Sequence, residues 1–134
     1  MELKVGMYVS TVDRKEIGKI MHFCDCEYCK ERGYFEPFID NPNIFITNYD
    51  RNNKFHGYKF YEDLLDLIQE GDYVNGEKVL QTKCNVLYYD DDDGNEVEIN
   101  NALELDHSWI YFESEIETVV TKEQFERATY EVKR

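Results

Sequence analysis

Three of the four cysteines and one of the three histidines fall in HFCDCEYC, residues 22 to 29. Thiolate and imidazole are the ligands zinc prefers, held tetrahedrally at ~2.3 and ~2.0 Å. Cys24-x-Cys26-x-x-Cys29 suits one ion. Side chains two apart on a strand face the same way, and a two-residue gap is the usual knuckle by which two sulfurs reach one metal. The neighbours Asp25, Glu27, Lys30 and Glu31 mark an exposed loop, where free thiols are a liability. The plain alternative is three reduced thiols.

A closed zinc site needs a fourth ligand, His22 or Cys84. If residues 22 to 26 were extended, the Cα of His22 would lie about 13 Å from that of Cys26. Cys84 belongs to a predicted central strand, on a face with Leu80, Thr82, Val86 and Tyr88, where a lone cysteine is more often a small core residue. Catalytic zinc keeps an open position and a proton-shuttling Glu or His, as in HExxH or HxE…PCxxC. Neither pattern occurs. The expected role is therefore structural, a zinc that locks KERGYFEPF in a presented shape, and no enzyme is expected.

Other catalytic patterns point the same way. His56 and His107 stand alone, and there is no GxSxG or GxxxxGK. The acidic run ending in Gly94 has the look of a calcium loop, but with Gly94 sixth the first and twelfth positions hold Tyr89 and Asn100, where Asp and Glu are needed. A hairpin tip is the better reading.

The acids form an array. Glu96 and Glu98 are predicted to share one strand face and Glu113, Glu115 and Glu117 another, with ~6.7 Å between carboxylates on a strand. With Asp90, Asp91, Asp92 and Asp93, and with Tyr111, Tyr34 and Phe35 as aromatic contacts, they make up a candidate partner-binding surface. A groove built for nucleic acid could take it for phosphates. Ordinary solvation of an outward face is the alternative.

Charge sharpens this. Residues 1 to 83 carry 11 Lys or Arg against 15 Asp or Glu (−4), and residues 84 to 134 carry 4 against 14 (−10). Between Lys83 and Lys122 there is no basic residue. Binding to phosphates or anionic membranes needs Lys and Arg, so the complement is a basic partner surface, such as a nucleic-acid-binding nuclease complex offers. No signal-like start or ~20-residue apolar run is present, so a cytosolic protein with reduced thiols is expected.

These side chains need a frame, and the apolar pattern supplies it mostly with a period of two. LKVGMYVSTV and KEIGKIMHF read as strands joined by a turn at Asp13, Arg14 and Lys15. NIFITNY reads as a third, ended by DRNN, and Leu64 to Ile68 as a turn of helix or a strand. KVLQTKCNVLYYD and NEVEIN form a hairpin. WIYFESEIETVV alternates as one strand with Tyr111, Glu113, Glu115 and Glu117 outward. Thr121 and Gln124 form a capping box for a short helix with Phe125 and Ala128 inward, and YEV is a last strand. GDYVNG repeats the form of VGMYV. The expected fold is mainly β with minor α, either a small SH3-like barrel or two packed antiparallel sheets, in one domain (1–134) with an inserted cysteine loop (24–36).

LKVGMYV…IGKI, GDYVNGEKVL and IETVVTKEQFERATYEV together resemble small accessory proteins carried by phages and prophages of low-GC Gram-positive bacteria, and CDCEYCKERGYFEPF fits some of them. The resemblance covers about a third of the chain and implies a phage accessory protein. With the charge, it leads to the expectation of an inhibitor of a host defence protein, anti-CRISPR-like, acting in the host bacterial cytosol. The alternative is a phage structural or regulatory module whose zinc loop contacts protein or nucleic acid.

Overall fold

Two Gly-x-Tyr-Val stretches open the first strands of two compact units, Met1–Leu67 and Ile68–Arg134, in a computed structural model that describes residues 3–34, 36–47, 55–90 and 94–128. In the first unit β1 (Tyr8–Thr11) and β2 (Ile17–Phe23) pair antiparallel, Val9 opposite Gly18. The predicted turn joins them. Asp13 Oδ1 accepts from Thr11 Oγ1 and from the Lys15 amide, and Arg14 takes a positive φ of 61°. α1 (Glu27–Arg32) follows, then β3 (Pro37–Ile39), β4 (Tyr58–Tyr61) and α2 (Leu64–Leu67), in the sheet order β3-β2-β1-β4. Leu3, Met7 and Ile20 form one buried cluster and Val9, Ile44 and Ile46 another, with Ile39, Phe55 and Phe60 packed against both.

In the second unit β5 (Tyr73–Val74), β6 (Glu77–Asp90), β7 (Asn95–Leu105), β8 (Trp109–Ile110) and β9 (Val119–Val120) make an antiparallel sheet of order β8-β7-β6-β5-β9. α3 (Lys122–Ala128) ends it. Ile68, Val74, Val79, Ile99, Ala102, Leu103, Leu105 and Ile110 are its buried apolar residues among those described. The predicted capping box is present: Gln124 N–H donates to Thr121 Oγ1 (3.1 Å) and Thr121 N–H to Gln124 Oε1 (2.9 Å).

The repeated motif does the same work in both units. Gly6 (φ 93°) donates its N–H to Ile20 O and receives a neighbouring bond from Ile20 N–H to Met7 O; Gly71 (φ 91°) and Val79 do likewise, with Asp72 in the place of Met7. Each turn is closed by the amide of that residue, Met7 to Lys4 O and Asp72 to Gln69 O. A later strand, β4 or β9, then pairs antiparallel with the opening strand, and a short helix follows. Glycine is required because the turn needs φ near +90°, a region that L side chains avoid.

The chain is thus mainly β with two antiparallel sheets, as expected, and among the described residues neither sheet closes into a barrel. Two expectations fail. NIFITNY is not a sheet strand over its described part: Ile44 and Ile46 are buried, but the strand beside β2 is Pro37–Ile39. WIYFESEIETVV is not one strand either. It breaks after Ile110 into a 3-10 turn at Glu113–Glu115, because side chains claim its backbone amides. Glu115 Oε2 accepts from the Tyr111 amide (2.8 Å), and Asn75 Oδ1 from those of Glu117 and Thr118 (2.7 and 3.1 Å). Phe125, expected inward, is half exposed and stacks on Tyr73 with ring centroids 4.3 Å apart. The expected strand YEV, the turn DRNN and the side chain of Ala128 lie outside the described part.

Candidate metal centre

The cysteine segment is the tip of the β2–β3 hairpin. Phe23 pairs with Pro37, and the Cys24 amide donates to Glu36 O (2.9 Å), closing the neck. β2 ends at Phe23, so Cys24 and Cys26 do not share a strand face, contrary to the expectation. They come together because the chain turns into α1, with Cys26 at the N-cap and Cys29 in the first turn. Gly33 (φ 64°) ends the helix in the left-handed conformation, with bonds from Gly33 N–H to Lys30 O and from Tyr34 N–H to Cys29 O.

This brings the three sulfurs within 4.8 Å of one another, with Cys24 and Cys26 Sγ 3.3 Å apart. Sulfurs sharing a tetrahedral zinc at ~2.3 Å stand about 3.8 Å apart, so the spacing fits one thiophilic ion. All four cysteines are free thiols. The three differ electrostatically. Cys26 is held below the ordinary 9.0, first by the nearby Cys29 amide and then by the Cys24 and Cys29 thiols. Cys29 is buried, and its thiol is pushed up to about 12, first by its hydrogen bond to Cys26, then by burial and by the charges of Cys24 and Cys26. Cys26 thus gives up its proton more readily than an ordinary thiol, while Cys29 keeps its proton until an ion displaces it.

Neither proposed fourth ligand joins this cluster of donors. His22 is on β2, exposed, its ring stacked on Phe38 at 4.5 Å. Cys84 lies on β6 in the other unit, its thiol 3.8 Å from Gln81 Oε1. No family model, curated protein or solved structure matches the chain.

The other predicted residues scatter. Tyr34 is exposed and meets Tyr28 edge to face at 5.7 Å, while the Arg32 guanidinium lies 3.7 Å from the Tyr28 ring centre. Phe35, Asp91, Asp92 and Asp93 lie outside the described residues, and Asp90 ends β6. Glu96 and Glu98 share one exposed face of β7, as expected. Glu113, Glu115 and Glu117 share no strand, and Tyr111 packs with Tyr88 and Trp109. His56 sits in an exposed turn, and His107 lies 3.4 Å from Asp106. Among the described residues no helix is long and apolar enough to cross a membrane.

Sequence reasoning missed Leu87 and Tyr89, which stand exposed opposite Glu98 and Glu96. The signal was present in the alternation of NVLYYD. Its two faces are both apolar, a pattern that does not say which one is covered.

Proposed function

We propose that this chain is a protein-binding module that docks its acidic unit on the basic surface of a nucleic-acid-handling host protein and blocks it, in the manner of an anti-CRISPR. A zinc ion on Cys24, Cys26 and Cys29 serves as a structural clamp of the first unit's hairpin tip. The resemblance to phage accessory proteins points to the cytosol of an infected bacterium. The reading assigns the chain no catalytic step.

One observation carries it. Residues 68 to 134 hold 6 Lys or Arg against 17 Asp or Glu, a balance of −11, with no basic residue between Lys83 and Lys122. Glu96, Glu98 and Glu117 in this stretch are exposed and, among the described residues, meet no cation. A field of one sign steers association with its opposite and repels phosphates.

The test is titration against a purified guide-RNA nuclease, with salt varied and a DNA oligonucleotide as competitor. Affinity is expected to fall about tenfold or more between ~50 and ~200 mM salt, and the oligonucleotide to compete. Salt-insensitive binding without competition, or no binding to any such protein, would overturn the reading.

A second reading rests on exposed Tyr28 and Tyr34 at the cysteine tip, a contact surface for a structural or regulatory module. The tip carries Asp25, Glu27, Glu31 and Glu36 against Lys30 and Arg32, which favours protein over nucleic acid.

A further inference from the structure

The β6–β7 ribbon has two unlike faces. From Val86 to Asp90 the register is regular, and residues directly opposite one another lie on the same side. One side carries Val86 with Ile99 and Tyr88 with Val97; Ile99 is buried, Tyr88 meets the rings of Tyr111 and Phe112 at 5.5 and 5.6 Å and keeps 37% exposure, and Val97 keeps 44%. The other side carries Leu87 opposite Glu98 and Tyr89 opposite Glu96. There Leu87 is 69% and Tyr89 59% exposed. A solvated sheet face is ordinarily polar, so two large apolar side chains left bare on one mark an interaction surface.

We infer that this four-residue face is where a partner docks, and that the partner is an extended basic segment in which apolar residues alternate with Lys or Arg. The inference rests on the proposed function and names its site. Each apolar side chain has a carboxylate across the strand, at a Cβ spacing of about 5 Å, so the face is two parallel stripes, apolar along β6 (Leu87, Tyr89) and anionic along β7 (Glu96, Glu98). An extended segment lying along the seam between the stripes, its successive side chains pointing to opposite sides, sets its apolar side chains over Leu87 and Tyr89 and its cations over Glu96 and Glu98. Other occupants fit worse. A second copy of this chain would bring the same carboxylates against their like, and nucleic acid or an anionic membrane would bring phosphates.

The probe is a synthetic peptide alternating Lys with Val, set against an oligolysine of equal charge, each titrated into the full-length protein by NMR. The alternating peptide is expected to shift the amides of 86–90 and 95–99 and to bind about tenfold more tightly than oligolysine. Leu87→Ser with Tyr89→Ser should remove that advantage and leave oligolysine binding unchanged. Glu96→Lys with Glu98→Lys should abolish both, whereas Glu113→Lys with Glu117→Lys, an equal change of charge off this face, should weaken both by less. All six substitutions are at positions with solvent access, and an unchanged melting transition shows each variant folded. Equal binding of the two peptides, or an unaffected Leu87→Ser/Tyr89→Ser variant, would overturn the inference. Because the peptide assay contains no nuclease, it can fail while salt-sensitive binding to the nuclease persists, and the two readings stand or fall separately.

Discussion

The first unit hangs three thiols on the connection between its second and third strands, where the second unit runs the corresponding strands, β6 and β7, out into an acidic ribbon. The first carries 9 Lys or Arg against 12 Asp or Glu, a balance of −3; the second, 6 against 17, a balance of −11. Both rest on the same opening turn, the same order of four strands, to which the second unit adds β8 at one edge, and a short closing helix. The shared part is apolar and hydrogen-bonded and gives each unit its frame. The second hairpin is where the two diverge, and that is where each unit's chemistry sits.

If a metal belongs to the first unit alone, its removal should touch only that unit. An ion at a thousandfold its Kd stabilises the fold by about 4 kcal/mol. Chelation should therefore lower the first unit's unfolding midpoint and raise amide exchange across residues 19–39 while leaving 71–126 as before. Cys29→Ser should mimic chelation and cut metal content by mass analysis. The pH dependence has a definite sign. Raised from 9.0 to about 12, the Cys29 thiol favours the metal-free fold below pH 9 and loses that advantage as pH rises towards 12, while the ion requires thiolates. Zinc affinity by competition titration should rise at least about tenfold from pH ~6 to ~8. Exchange that changes equally in both units would erase the distinction.

Much of the shared frame was legible because it depends on local chemistry. The Asp13 turn, the hairpin about Gly94 and the Thr121–Gln124 capping box are each written within a few residues. Cys24, Cys26 and Cys29 were legible as a set for the same reason. What failed depends on distant partners. WIYFESEIETVV alternates as a strand should, but Asn75, some forty residues earlier, takes its amides. Bare Leu87 and partly covered Tyr88 have equal claims in the sequence, and the positions of Tyr111 and Phe112 separate them. The helix at Glu27–Arg32 was hidden by cysteines whose metal-ligand spacing is also compatible with a strand.

The last side chain of each opening turn, Met7 or Asp72, sharpens the comparison further. Asp72 is fully buried; its Oδ2 accepts from the Gln69 amide (2.7 Å) and its Oδ1 from the Lys122 amide at the start of α3 (2.8 Å). Met7 offers only Sδ, 3.2 Å from the Lys4 amide. Asp72→Ala strands two buried amides and should cost about 1–3 kcal/mol in denaturant unfolding, with α3 exchanging faster. Met7→Leu keeps the volume and should cost under about 1.5 kcal/mol. If the two changes cost the same, the carboxylate is not tying α3 to the turn.

The smallest effect tests whether the two turns are one device. Gly6 and Gly71 sit at φ 93° and 91°, where an alanine is strained by about 1–2 kcal/mol whatever the space around it. A Cβ at Gly6 meets nothing within 4 Å, whereas at Gly71 it comes 3.2 Å from Cδ of Lys122, the flexible stem of a surface lysine that gives way easily. Gly6→Ala and Gly71→Ala should therefore cost nearly the same, Gly71 slightly more, each in its own unit by hydrogen exchange. Should Gly6→Ala leave the first unit's stability unchanged, that turn tolerates a side chain and the two Gly-x-Tyr-Val motifs agree in letters without sharing a mechanical role.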